Sequence, residues 1–271
     1  MRSRARSLLL TLPALAVFSA FWLLPMVRLA AVGASGAQGI AAYWLVLFDP
    51  RYLRSLLATV VLSVAVTFAA LLISGCTGFF LQRQRFPGRT LLIALLSFPL
   101  AFPGVVVGFL VILLAGRQGL LATLTEYLSG ERLVFAYGMG GLFLGYLYFS
   151  IPRTILTVMA NVEKLDPSLE EAARTLGASP FQVLTDVILP ALMPALIAAG
   201  AICFATSMGA FGTAFTLATQ IDVLPITIYN EFTNYANFSV AAVLSLLLGL
   251  VTWLALAVAR QLTGAQAAAA A

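Results

Sequence analysis

The sequence predicts an all-α polytopic membrane protein with six transmembrane helices. Two observations carry this: charge is scarce, and what charge there is lies between long apolar windows. Of 271 residues, 62% are hydrophobic and 9% charged, with a mean hydropathy of +1.03. A soluble domain carries roughly 25% charged residues. Ser7–Val27, Ser55–Gln82, Thr90–Gly116, Leu133–Pro152, Val187–Ile221 and Phe232–Ala259 contain no Asp, Glu, Lys or Arg. About 20 apolar residues cross the hydrocarbon core, and one charge at mid-membrane costs at least ~2.5–3.5 kcal/mol on insertion scales. Each window is therefore read as one span.

The first window follows Arg2, Arg4 and Arg6 and precedes the small residues Ala31 to Ala37, a pattern shared with secretory leaders. Its apolar stretch of about 20 residues exceeds a leader core of roughly 7–15, and five more windows follow, so it is read as an uncleaved helix. The fifth window would make about 52 Å of straight helix, too long for one span. Pro190 and Pro194 lie near its start, and Thr206, Ser207, Gly209, Gly212 and Thr213 interrupt its second half. The span is placed at Met193–Leu217, with Val187–Pro190 as the tail of a cytoplasmic element. Irregular backbone at membrane depth persists only when buried in protein or lining a cavity. Ser207, Gly209, Phe211, Gly212 and Thr213 are thus candidates for a translocation path, with close packing through small residues as the competing account.

Basic residues set the orientation. Ten Lys and Arg fall on the side holding both termini: Arg2, Arg4, Arg6, Arg83, Arg85, Arg89, Arg153, Lys164, Arg174 and Arg260. Five fall on the other: Arg28, Arg51, Arg54, Arg117 and Arg132. Positive charge stays inside, so both termini are expected in the cytoplasm. The net charge of +5 and pI near 9.6 follow from that bias and call for a lipid bilayer as partner, with no nucleic acid. The chain has no histidine. Cys76 and Cys203 have neither metal-ligand spacing nor a nearby partner and read as packing residues. No metal, cofactor or catalytic residue is expected. Asp222 and Glu231, in an extracytoplasmic loop Ala218–Glu231, read as solvated charge, with contact to a cation as the alternative. Gly33–Gln38 reads as a small flexible loop. Gly33–Gln38 and Ala265–Ala271 carry no functional signal, and no internal repeat is evident.

The stretch Arg153–Pro190 is different. It holds Glu163, Asp166, Glu170, Glu171 and Asp186, half of the chain's ten acids. Asp166-Pro167-Ser168 is a helix start, capped either by Asp166 with Pro167 in the first turn or by Ser168 with Glu171 three residues on. The helix runs to Leu176, and Gly177 suits a left-handed stop. Ser179-Pro180 opens a second helix with Gln182 as box partner, and Pro190 stops or bends it. Leu169, Ala172, Ala173 and Leu176 share one face of the first helix, and Glu170–Arg174 is a favourable i,i+4 pair. A helix of about 15 Å is marginal alone, and its acids would be repelled by anionic lipid. It reads as a docking knob for a cytoplasmic protein.

Glu171-Ala172-Ala173, three residues, Gly177, nine residues, Val187, one residue and Leu189-Pro190 resemble the signature loop of binding-protein-dependent ABC importer permeases. The family pattern has Ile where Val187 stands. The motif covers about 20 residues, at roughly 160–190, and its place between spans four and five of six extends the likeness to residues 1–271 as one permease domain. The Gly209–Gly212 stretch further resembles the group handling polyamines, sulfate, ferric iron and phosphonates. The resemblance implies coupling helices in which Glu171, Ala172 and Ala173 dock an ATPase, Gly177 makes the turn, and Leu189 and Pro190 join the loop to span five. It implies as partners a dimer of ABC ATP-binding subunits, a second permease subunit (self-copy or paralogue) and an extracytoplasmic solute-binding protein, at a bacterial inner membrane. The single lysine, Lys164, follows Glu163 and lies in no phosphate-binding loop, so ATP hydrolysis is expected in another subunit. A stand-alone secondary carrier or channel is the alternative. It fits less well, since a carrier would show ionisable residues within its spans and the six windows hold none.

Overall fold

The structure is a computed structural model that describes residues 11–36, 39–217 and 221–269. Arg2, Arg4, Arg6 and Gln38 lie outside the described residues. The described chain is helical, without strands. Its helices, in chain order, are α1 (Thr11–Ser35), α2 (Ala41–Phe48), α3 (Pro50–Arg83), α4 (Arg89–Ala101), α5 (Gly104–Ala115), α6 (Leu120–Ser129), α7 (Met139–Val162), α8 (Pro167–Thr175), α9 (Pro180–Met208), α10 (Phe211–Leu217), α11 (Leu224–Tyr229) and α12 (Phe238–Ala269). Six stretches are long and apolar enough to span a membrane: α1, α3, α5 with α6, α7, α9 and α12.

The span count matches the windows, but several boundaries move. Asp49 caps α3 by accepting from the Arg51 amide at 2.8 Å, with Pro50 in the first turn, so Arg51 and Arg54 lie on the helix. Gly33–Ser35, expected in a loop, belong to α1, where the Gly33 carbonyl accepts from the Ser239 hydroxyl at 2.5 Å. The window Thr90–Gly116, expected as one span, is broken at Phe102–Pro103. Phe102 is extended (φ −91°, ψ 132°) because the residue before a proline is pushed out of the helical region. The fourth span is shifted towards the C-terminus. Phe135 and Ala136 donate their amides to the Ala115 carbonyl, so Leu133–Tyr137 is not helical, and α7 runs on to Val162. Arg153, expected in a cytoplasmic loop, consequently sits inside α7. The segment after α10 is also not a plain loop. It folds into α11, whose Leu224, Pro225 and Ile226 are buried, and Glu231 is only 7% exposed.

At the centre, α3 packs along α7 and α9, while α9 also lies on α12, α12 on α1, and α10 on α5. The main core joins Leu62 and Val66 of α3, Val111 of α5, Tyr146 of α7, Cys203 of α9 and Leu217 of α10. Cys203 is thus a packing residue, whereas Cys76 is exposed on α3. Large apolar side chains cover the outside: Phe21 is 80% exposed, Leu113 68% and Trp253 59%. A surface of that kind needs lipid or another chain against it.

The α5–α10 crossing admits no side chain at Gly108, where a Cβ would lie 2.5 Å from the Thr216 Cβ. Gly108→Val is expected to destabilise the purified protein by about 1–3 kcal/mol, as overpacking does. Gly249→Ala, on α12 with open space around it, is expected to be neutral or to stabilise by up to about 1 kcal/mol, the helix-propensity gain. Thermal unfolding of the two variants in one detergent checks both.

Candidate functional site

Two regions hold the residues singled out by the sequence. The first is the connection from α7 to α9. Asp166 caps α8, accepting from the Ser168 amide at 2.9 Å, with Pro167 in the first turn. This decides between the two starts that the sequence allowed. The Ser168 amide bond holds the Asp166 carboxyl below its ordinary range. The cap is therefore charged at neutral pH, and its contribution is lost only as pH falls through that depressed value. Beyond α8, Gly177 sits at φ +86°, in the left-handed region where a side chain is strained. Ser179 and Gln182 then close a reciprocal capping box at the start of α9.

The faces of α8 differ from expectation. Glu170 pairs with Arg83 at the end of α3, not with Arg174. Ala173 turns inward, half-buried against a cluster containing Val158, Val162 and Val183. Glu171 and Ala172 are exposed, with Leu169 at 55% and Leu176 at 88%. One side of α8 is thus tied down by an ion pair and an apolar contact. The other presents three apolar side chains beside Glu171, which has no ion pair among the described residues.

Pro190 neither stops nor sharply ends the helix. Residues Val183–Ile188 adopt a π-helical turn, and the chain continues as helix through Leu189 and Pro190 to Met208. Proline lacks the amide that would bond to the fourth residue back, and the wider turn just before it changes the pairing of those carbonyls. The second helix of this connection and span five are consequently one rod of 29 residues.

The second region is the far end of that rod. Helix α9 stops at Gly209, and α10 starts at Phe211. The break lies against the one between α4 and α5. The Thr213 hydroxyl donates to the Gly104 carbonyl at 2.9 Å, and the Tyr146 hydroxyl to the Ala210 carbonyl at 2.8 Å. A Cβ at Gly212 would lie 3.0 Å from the Val105 amide nitrogen. Open backbone is thus closed by protein, and the expected packing through small residues is also present. A cavity of about 320 Å³ opens at the junction, lined by Phe102, Gly104, Arg153, Thr206, Gly212 and Thr213 among others.

Of the five path residues, Gly212 and Thr213 line this cavity. Gly209 and Phe211 face a different hollow, beside Tyr229 and Phe232. Ser207 is fully buried, and its hydroxyl has no partner among the described residues. Sequence reasoning missed Arg153, 14 residues into a 24-residue apolar helix. A charge-free window hid it by ending at Pro152. At the centre of a span an arginine costs at least ~2.5–3.5 kcal/mol on insertion scales, and the three ion pairs among the described residues do not include Arg153. Asp222 is exposed. Glu231 is not the solvated loop charge expected; it is buried and accepts from the Tyr52 hydroxyl at 2.9 Å.

Comparison with known proteins places this architecture. A family model described as the inner membrane component of binding-protein-dependent transport systems matches residues 74–265. The sulfate transport system permease protein CysT of Escherichia coli (strain K12) is 33% identical over 216 residues, 77% of this chain and 76% of that one. The molybdenum transport system permease protein ModB of the same organism is 35% identical over 183 residues, 65% of this chain and 76% of that one. The putative 2-aminoethylphosphonate transport system permease protein PhnU of Salmonella typhimurium (strain LT2) is 30% identical over 232 residues, 84% and 81% of the two chains. Among solved structures, a chain of a bacterial alginate ABC transporter, in complex with an alginate pentasaccharide-bound periplasmic protein, superposes with a TM-score of 0.80. That match covers 97% of this chain and 96% of that one at 17% identity. A chain of the inward-facing MetNI methionine ABC transporter superposes with a TM-score of 0.62, over 81% and 98% of the two chains at 19% identity. At such identities these two show the fold alone. With the family matched over most of its length and its six spans in place, the chain belongs to the inner membrane components of binding-protein-dependent transport systems, the permease subunits of ABC importers.

Proposed function

We propose that this chain forms half of the translocation path of an ATP-driven importer of small oxyanions, with the cavity between the two helix breaks on that path. A separate ATPase docks on α8. The single observation that carries the coupling role is the anchoring of α8 on one side while the other stays open. Its inner face is held to α3 by Arg83–Glu170 and to α7 and α9 by Ala173. Its outer face, with Leu169, Ala172, Leu176 and Glu171, is free to meet another protein. Force on that face reaches α9 through a short turn at Gly177, and α9 leads without interruption to the break at Gly209. Packed helices moved as a body are a common form of switching.

In this reading both termini and α8 are cytoplasmic, and residues 1–271 act as one permease domain. Six spans supply one half of a path, and a second copy or a paralogue supplies the other. A dimer of ATP-binding subunits powers it, and an extracytoplasmic binding protein delivers the solute. The cargo class rests on the relatives. Sulfate and 2-aminoethylphosphonate are oxyanions, and molybdenum travels in water as one, so the three named cargoes share a chemistry.

Glu171→Lys is expected to abolish uptake and to lose the ATPase on co-purification, while membrane insertion and the yield of folded permease stay unchanged. Retention of the ATPase with normal uptake would remove the docking role of this face. The Arg83–Glu170 pair is expected to show a coupling energy of about 1 kcal/mol or more, above the range of exposed pairs, in a double-mutant cycle of Arg83→Gln and Glu170→Gln. Stability in detergent provides the readout. Gly177→Val forces a β-branched residue to φ +86°. It is expected to lower the solute moved per ATP hydrolysed, measured in proteoliposomes, without preventing assembly.

A further inference from the structure

Arg153 is the described residue that the importer architecture does not explain. It lies within α7, about 21 Å along the helix from Met139 and about 13 Å from Val162 at 1.5 Å per residue. Were α7 centred in a hydrocarbon core of about 30 Å, the base of its side chain would lie well inside that core. An ionisable group at such depth normally faces a water-filled path or a partner of opposite charge. No carboxylate among the described residues pairs with Arg153. The side chain instead borders two hollows at once. One is the 320 Å³ cavity at the helix breaks. The other is a smaller one between α7 and α9, lined by Ser150, Thr154, Cys203 and Thr206. Thr206 also borders both.

The surroundings suit an anion. The larger cavity meets the first turn of α5 at Gly104 and Val105, which has no side-chain cap, so its amides point positive charge outward. In the smaller hollow the Ser150 hydroxyl is buried, with Ser150 only 3% exposed, and has no hydrogen-bond partner among the described residues. A buried hydroxyl left unpaired is uncommon and calls for a partner. Neither lining contains a carboxylate.

We propose that Arg153 is the anion-contacting residue of the translocation path. Its guanidinium meets a small oxyanion in the cavity at the helix breaks, beside the first turn of α5. A planar guanidinium can give two parallel hydrogen bonds to an oxyanion, which a lysine cannot match. The inference deepens the oxyanion reading above and rests on it.

The test uses the complete importer, reconstituted with its ATPase and binding protein, and radiolabelled sulfate, molybdate and 2-aminoethylphosphonate as probes. Arg153→Gln is expected to cut the initial uptake rate of the transported anion at least tenfold. Assembly on gel filtration and ATP hydrolysis stimulated by the loaded binding protein should persist. Arg153→Lys is expected to fall between Gln and the parent. Uptake by Arg153→Gln at the parental rate would overturn the assignment and leave the importer reading standing. Loss of the second permease from the Gln variant would overturn it too, making Arg153 an interface residue. A parent complex that takes up none of the three anions would overturn the cargo class and this site together.

Discussion

Inside a bilayer every peptide group must find its hydrogen-bond partner within protein, because lipid offers none. The interior of this chain is arranged around two places where the helical ladder fails, Phe102–Pro103 and Gly209–Ala210. A hydrogen bond ties the two breaks together, and a second one closes a carbonyl at the later break. Thr213, beyond the second break, donates to Gly104, beyond the first, and Tyr146 of α7 closes Ala210. Gly108 and Gly212 let α5 and α10 come close enough for those bonds. The same junction leaves a cavity with polar groups at its wall.

The placement of α8 relative to that junction is what the proposed coupling depends on. Helix α9 begins with the Ser179–Gln182 box beside α8 and ends at the break that borders the cavity. The π-helical turn at Val183–Ile188 takes up the disturbance of Pro190 at the start of the rod, so it is not interrupted there. The Arg83–Glu170 pair adds α3, which packs along both α7 and α9, to the same body. Helix α8 is thus in contact, directly or through one neighbour, with three spans. That geometry supports a permease that responds to an external motor more directly than a carrier working alone.

Much of this was legible in the sequence where the signal is local. Asp166-Pro167, Gly177 and Ser179-x-x-Gln182 name their own backbone geometry, and absence of charge shows how many spans there are. What was not legible depends on partners distant in sequence. Absence of charge marks where a helix can cross, not where it starts, so the fourth span was placed too early and Arg153 was assigned to a loop. The Phe102–Pro103 break was hidden in a uniformly apolar window, although two prolines stood in it as a warning. Glu170 was matched to its helical neighbour Arg174 because Arg83, 87 residues away, leaves no mark on a local pattern. Glu231 was read as solvated for the same reason, since Tyr52 is 179 residues away. Ser207, Gly209, Phe211, Gly212 and Thr213 were found as a group by their irregularity, but only the three-dimensional arrangement separates the two that line the cavity from the rest.

The central claim is that events on the outer face of α8 are transmitted to the cavity at the helix breaks. Thr206→Cys, in a background with Cys76→Ser and Cys203→Ala, reports on it most directly. The rate of modification by a membrane-impermeant thiol reagent would be measured in the full complex, first without nucleotide and then with the ATPase trapped by ATP and vanadate. The account predicts rates that differ several-fold between the two states, and a difference that disappears when Glu171→Lys is added. Equal rates in both states, or a difference that survives Glu171→Lys, would contradict it.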